Sequence, residues 1–361
     1  MGGYSRNGVN GTCIDTESVA SITRGVLVGS AIPPKPALGA AIQGATMRVA
    51  TFNVENLFTR FRFARGVDSD EARDEGFTVD DLKFRLHDAQ AKRLTADTML
   101  ACQADVFALQ EVEGLDTLKQ FRDRFLGGRE VWPHALVIDG NDQRRIDVGV
   151  LSRFPIVHAR SWQHQTEGGK LIWDRDCLEV DIDGPHGLLT LYVNHFKSMR
   201  APEGTKGSGR ALTQPRRVQQ ARGVMDVVRS RFGEDPSHGS WIVVGDLNDH
   251  GADDEQGPTA LRELLDWDAM ENVVDRLPAD LRWTHFYRGS SRHGLPAAYR
   301  QLDYVLPSRR LAGLNPSQPV IERRGQPKRA ARFEGERFVG VGRDRPKASD
   351  HCPVCFDIDA M

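Results

Sequence analysis

Residues Trp241 to Asp249 read W-I-V-V-G-D-L-N-D, and this stretch constrains the fold more than any other. Ile242, Val243 and Val244 form an unbroken run of apolar strand formers, the pattern of a strand buried on both faces. Gly245 ends the run, and Asp246, Leu247, Asn248 and Asp249 follow where a buried strand meets solvent. Two carboxylates and an amide thus emerge together from a rigid support, a good place for chemistry. The same segment also reads as a plain strand running into an Asp/Asn turn. Other parts of the chain decide between the two.

The pattern recurs. M-R-V-A-T-F-N-V-E-N-L-F, from Met47, alternates like a strand and delivers Asn53, Glu55 and Asn56 at its end. A-D-V-F-A-L-Q-E-V-E is another buried strand ending in Gln110 and Glu111, and G-L-L-T-L-Y-V-N-H-F-K-S ends in Asn194, His195 and Lys197. Q-L-D-Y-V-L is a short strand carrying Asp303, and A-S-D-H-C-P-V-C-F-D-I closes the chain. D-V-G-V-L-S-R-F-P-I-V and D-R-D-C-L-E-V-D-I read as strands around a polar loop.

Helical spacing predicts helices over Leu82 to Cys102 and 114–126, an amphipathic helix over Arg216 to Phe232, and a short one over Thr259 to Leu265. Residues 65–81 read as acidic and irregular, 200–215 as a Gly-rich basic loop containing Lys206 and Arg210, and 311–348 as an Arg-rich loop. Residues 1–46, rich in Gly, Ser, Ala and Pro, read as a mobile leader. No internal repeat is visible.

Lys and Arg total 48 against 50 Asp and Glu, a formal net charge of −2, so any polyanion site must be local. No apolar run approaches the ~20 residues needed to cross a bilayer, so no membrane span is expected. The 361 residues suffice for one large domain or two ordinary ones. Cys13, Cys102, Cys177, Cys352 and Cys355 are odd in number and sparse, which argues against a disulfide framework and for a reducing compartment. A cytoplasmic location is therefore expected. Secretion stays open, although only the short G-V-L-V-G-S-A stretch after Arg24 resembles an export signal. The C-x-x-C at Cys352 and Cys355 lies in what reads as a terminal strand, where both cysteines serve as small buried apolar residues.

Taken in order, F-N-V-E-N, L-Q-E-V, V-N-H-F-K-S, V-G-D-L-N-D, Q-L-D-Y-V-L and S-D-H-C-P-V resemble the motif series of the endonuclease/exonuclease/phosphatase superfamily, which includes the deoxyribonuclease I-like enzymes. The resemblance spans Met47 to Ile358. It is closest to nuclease-type members through N-V-E-N-L-F, V-N-H-F-K-S, Arg217 with Gln220 and Ala221, and Q-L-D-Y. The fold it implies is α/β: a four-layer sandwich of two mixed β-sheets packed face to face with outer helices. That domain would cover residues 47–361, behind an N-terminal extension of residues 1–46 expected to be disordered.

Hydrolysing an anionic phosphodiester needs a divalent cation, a base for water and donors for the developing charge. Glu111 is the best metal ligand among the strand-end residues. Mg²⁺ prefers about six oxygens at ~2.1 Å and keeps several waters, so one or two carboxylates plus an amide suffice. By the resemblance, Asn53 and Asp350 complete or flank a Mg²⁺ site that also admits Mn²⁺, and Glu55 stands where some relatives carry Asp. The resemblance further implies that Asp246 orients or deprotonates the attacking water and that Asn248 holds the phosphate or Asp246. His351 would face the phosphate with Asp303 on its other ring nitrogen. His195 would donate to the phosphate or the leaving oxygen, and Asn53, Lys197 and Arg217 would contact substrate. Which group is the base stays open.

Each residue alone has an ordinary reading: Glu111 as a solvated strand end, His195 as a loop histidine, Asp303 as a turn former. Their joint, ordered appearance favours chemistry. Trp283, Phe286 and Tyr287, near Arg288 and Arg292, fit either base stacking or core packing. Lys328, Arg329 and Arg332 fit either a loop that steers a phosphate backbone or a solvated face. The expected function is metal-dependent phosphodiester hydrolysis by a monomer, with DNA or RNA as the substrate partner. Same-fold alternatives are a phosphatase on inositol phosphates and a sphingomyelinase-like enzyme, the latter without an aromatic hairpin to support it. A catalytically silent scaffold would be expected to lack at least one of Glu111, Asp246, Asn248 and His351, and all four are present.

Overall fold

Strand alternation divides most of the buried apolar residues described among three cores. In the computed structural model, which describes residues 46–63, 79–85, 89–201, 204–290 and 296–361, one sheet runs β15 (Val320–Ile321), β16 (Val354–Ile358), β1 (Met47–Phe63), β3 (Val106–Val112), β5 (Asp147–Ser152) and β4 (His134–Val137), with β2 (Val79–Arg85) added to the far end of β1. Besides the short hairpins β7 (Thr166–Glu167) with β8 (Lys170–Leu171) and β12 (His285–Tyr287) with β13 (Ala298–Arg300), a second sheet runs β14 (Asp303–Pro307), β11 (Trp241–Asp246), β10 (Gly187–His195), β9 (Cys177–Gly184) and β6 (Ile156–Ser161). Both are mixed: β1 pairs parallel with β3, and β10 with β11, while the other neighbours in these two sheets are antiparallel.

Val49, Val106, Ala108 and Val150 on one face of the first sheet share a core with Leu191, Val193, Ile242, Val244 and Val305 of the second. The alternate residues Ala50, Phe52, Phe107 and Leu109 turn outward against α1 (Ala89–Cys102) and α2 (Leu115–Phe125), through Ala96, Met99, Leu118 and Phe121. On the other side Tyr192, Trp241 and Val243 meet Ala221, Val224 and Val228 of α4 (Gly209–Phe232), α3 being the single turn Gly128–Val131. Each fully buried side chain of this kind stabilises the fold by roughly 1.5–3 kcal/mol. The result is the expected helix–sheet–sheet–helix sandwich. All described residues belong to one compact unit.

Several local expectations change. The strand expected from Asp147 to Val157 is two, because the segment ending in Pro155 carries the chain from β5 in one sheet to β6 in the other. The helix expected from Leu82 starts at Ala89, since Val79–Arg85 forms an antiparallel ladder with β1 (Phe58 opposite Arg85), and apolar spacing alone cannot separate the two. The loop expected over 200–215 is helical from Gly209: Ser208 caps α4, and buried Arg210 ties its first turn to Asp249. Of Thr259 to Leu265 only α5 (Arg262–Leu265) is helical, and 311–348 contributes the end of α6 (Arg309–Leu314) and β15. Cys352 and Cys355 are buried as expected. The leader at 1–45 and the acidic stretch at 65–78 lie outside the described residues. Among the described residues no helix is long and apolar enough to cross a membrane.

Candidate active site

Pairing in the second sheet lines up three chemical side chains. His195 is opposite Asp246 across β10 and β11, and Asp246 is opposite Asp303 across β11 and β14. Each lies an even number of residues from an inter-sheet core residue, His195 from Val193, Asp246 from Val244 and Asp303 from Val305. All three therefore point inward, where the inter-sheet core ends at one rim. Asn53 follows the same rule on β1, four residues after Val49, and its side chain crosses to the second sheet.

Asn53 Nδ2 donates to Asp246 Oδ2 at 3.0 Å and to Glu111 Oε1 at 3.3 Å. Its Oδ1 accepts the Glu55 amide at 3.1 Å. Two carboxylate acceptors fix the amide group in this orientation. Asn53 is thus a donor shared by two acids. Glu111 Oε2 accepts the Asn56 amide at 2.9 Å. Asp246 also accepts from the Asn248 backbone at 2.9 Å and from Asn248 Nδ2 at 3.0 Å, and Nδ2 reaches the Phe196 carbonyl at 3.1 Å. Glu55, Asn56, Glu111 and Asn248 all have positive φ, of 46°, 56°, 65° and 51°. Non-glycine residues seldom adopt this conformation, so the strand ends are bent to aim these side chains at the rim.

The loop before β16 supplies His351. Its Nδ1 donates to Asp303 Oδ2 at 2.9 Å, and Nε2 faces Asp246 Oδ2 at 3.7 Å. The Thr284 hydroxyl also donates to Asp303 Oδ2, at 2.7 Å, and accepts the Asp303 amide. Ser349 Oγ joins the segments by donating to the Asn53 carbonyl and accepting the His351 amide. His195 Nε2 lies 3.6 Å from Asp246 Oδ2 on the opposite flank.

The two histidines carry opposite tendencies. Burial opposes charge on His351, but Asp303 and Asp246 outweigh it and hold the ring well above the ordinary range, as a cation. Burial, then the charges of Arg175 and His351, hold His195 well below it, as a neutral ring. Burial pushes Asp246 up to about 7, with His351 opposing the rise and Asp303 adding to it.

Asp246, Asp303 and His351 are all buried, and their potential ligand atoms lie within 4.8 Å of one another, so they could hold a metal ion. Asp303 Oδ2 already accepts two hydrogen bonds and His351 Nδ1 is used on it, while the buried Asp303 Oδ1 has no hydrogen-bond partner among the described residues. Of the other acids in this region, Glu55 and Asp350 both face Lys347, at 2.9 and 3.9 Å, while Glu111 is tied to Asn53 and Asn56. Asp350 is partly exposed, and burial is outweighed there by Lys347, His351 and His285, which hold the carboxyl well below its usual range.

Two substrate-binding expectations fare differently. Lys197 is half-buried, its backbone held by Gln220 and Arg217. Arg217 is wholly buried and cannot meet a phosphate: its donors go to Asp249, Thr213 and the carbonyls of Lys197 and Arg210. Trp283 and Phe286 are core residues. Sequence reading passed over Thr284, His285, whose ring lies 4.6 Å from that of His351, and Lys347. Nothing in W-T-H-F or P-K-A-S marks them except closeness to residues far away in the chain.

The sequence matches the Endonuclease/Exonuclease/phosphatase family over residues 50–351. No curated protein matches it. Among solved structures it is similar to an endonuclease/exonuclease/phosphatase from Beutenbergia cavernae (TM-score 0.52, 17% identity, covering 87% of this chain and 72% of that one). It is also similar to truncated TDP2 from Caenorhabditis elegans (0.52, 15%, 88% and 99%) and to the human Nocturnin catalytic domain with bound sulfate (0.51, 14%, 86% and 93%). These likenesses concern the fold. With the motif order, the four-layer architecture and the convergent rim all in agreement, the chain belongs to the endonuclease/exonuclease/phosphatase family.

Proposed function

We propose that the protein is a metal-dependent phosphodiesterase acting on nucleic acid. One observation carries this reading: the Asp246 carboxylate is gripped by the amides of Asn53 and Asn248 and flanked by the imidazoles of His195 and His351 at 3.6 and 3.7 Å. Glu111, with Asp350 flanking, would hold Mg²⁺ or Mn²⁺. The donor set suits a hard cation, because Glu111 keeps lone pairs beyond those taken by two neutral donors. When bound, the ion neutralises and polarises the phosphoryl group.

Asp246, held by two amides, orients the attacking water and receives its proton as the water oxygen bonds to phosphorus. His351, kept charged and oriented by Asp303, donates to the charge that develops on the phosphoryl oxygens. His195, a neutral ring, is placed to hydrogen-bond to the phosphate or the departing oxygen as the P–O bond breaks, and that oxygen takes its proton from solvent. Lys197 contributes charge at the entrance.

Nucleic acid is favoured as substrate by the nuclease-type motifs N-V-E-N-L-F and Q-L-D-Y and by the exposed cations Arg200, Lys206, Lys328 and Arg332. Arg210 and Arg217 are buried and Arg329 pairs with Asp344, so this charge is sparser than the sequence suggests. The test is turnover of single- and double-stranded oligonucleotides of increasing length, beside inositol phosphates and sphingomyelin, with and without EDTA. Oligonucleotide cleavage that chelation abolishes and Mg²⁺ or Mn²⁺ restores is expected. Efficient turnover of inositol phosphates with no cleavage of any oligonucleotide would overturn the substrate, and full activity in excess EDTA with bound metal excluded would overturn the mechanism.

A further inference from the structure

Three of the carboxylates at the rim, Glu55, Glu111 and Asp350, are not equivalent. Glu111 meets neutral donors, Asn53 Nδ2 and the Asn56 amide. Glu55 meets cations on both oxygens: Lys347 Nζ is 2.9 Å from Oε2 and Arg345 is 3.1 Å from Oε1. The same Lys347 ammonium lies 3.9 Å from Asp350 Oδ2 and is only 10% exposed. We propose that Lys347 occupies, as a tethered monovalent cation, a second cation position bounded by Glu55 and Asp350, so that the protein binds one divalent ion, on the Glu111 side.

The surroundings fix this arrangement. The Glu55 backbone is held at positive φ, its amide on Asn53 Oδ1 and its carbonyl on the buried Lys92 ammonium at 3.1 Å, so its side chain is aimed at Lys347. Without a cation between them the Glu55 and Asp350 carboxylates, both facing Lys347, repel each other. Lys347 relieves that repulsion. Being part of the chain, it does so at a high effective concentration that a free ion must overcome. A divalent ion entering there would have to expel an ammonium that is nine-tenths buried and deprive it of its carboxylates, which is unfavourable.

The inference rests on the reading of the rim as a metal site, and the experiment separates the two. Mn²⁺ binding is measured by calorimetry and by electron paramagnetic resonance on the full chain and its variants, with circular dichroism confirming the fold. Wild type and Lys347→Arg should each bind one Mn²⁺, and Lys347→Met should bind two. Glu55→Gln, informative even if Lys347→Met does not fold, should keep the single ion at unchanged affinity because Glu55 is not its ligand. Two ions on wild type, one ion on folded Lys347→Met, or affinity reduced by an order of magnitude in Glu55→Gln would each overturn the proposal while leaving the metal reading intact. No Mn²⁺ binding by wild type would overturn both.

Discussion

Asp246 shows how much of one residue's behaviour comes from its neighbours. Its oxygens accept from Asn53 and Asn248, and two imidazoles approach the same Oδ2. Asp246→Asn preserves the shape but presents an amide to donors, so kcat should fall by at least ~10² with an unchanged circular dichroism spectrum. Wild-type kcat in that variant would mean the catalytic centre lies elsewhere. Asn53→Ala removes the donor shared by two acids and should lower kcat by about tenfold; steady-state kinetics at saturating Mg²⁺ checks it. The Asp303–His351 pairing was expected from the motif series and lies at 2.9 Å. Arg217 was misread because a sequence displays an arginine's charge but not the acid that will bury it.

At the scale of elements, α4 does more than cover the second sheet. Asp249, in the turn after β11, is wholly buried between Arg210 and Arg217 of α4, at 2.7 and 3.1 Å, and its carbonyl accepts Tyr304 Oη. The helix thus holds the turn that carries Asn248. Asp249→Ala strands two buried guanidinium groups and should destabilise the fold by roughly 3–5 kcal/mol, read from denaturant unfolding; a loss no larger than that of an exposed acid would refute the anchoring role. The Gly-rich composition of 200–215 concealed this part of the helix. Its first turn is held by acids about forty positions away, and local propensity carries no trace of them.

For the whole molecule, stability should depend on pH through Asp176, which lies just before β9 and is 1% exposed. Burial pushes its carboxyl up to about 6, against hydrogen bonds from Ser161 and Trp162 that favour ionisation. A raised folded value means the native chain binds this proton more readily than the unfolded one. Stability from this group is therefore full below about pH 4 and is lost as pH rises through 6. Asp176→Asn mimics the protonated form and should exceed wild type in Tm at pH 7.5, by an amount corresponding to at most about 3 kcal/mol. The two should converge as the pH falls below about 4, and a pH-independent difference in thermal melts would contradict the assignment. Substrate binding also belongs to this scale: on duplex DNA each phosphate neutralised should add about −0.9 to the log–log slope of affinity against salt. With Arg210 and Arg217 buried and Arg329 paired with Asp344, a shallow slope is expected from filter-binding titrations, and a steep one would point to a further basic surface.

The sequence alone determined which strands are buried and which side chains sit at their ends. Both follow from local apolar runs and from the two-residue period of a strand, as W-I-V-V-G-D-L-N-D and A-L-Q-E-V illustrate. With the motif order, that sufficed for the two-sheet sandwich and for the list of polar residues at its rim. Tertiary structure decided what each of those residues touches. It made Asn53 a bridge between two acids, sank Arg217 onto Asp249, split the segment at Pro155 between two sheets, and brought Lys347 to Glu55 across 292 positions of chain. These outcomes depend on register, on the side to which a loop returns and on which charge finds a buried partner, and such long-range terms leave no periodic mark in the sequence.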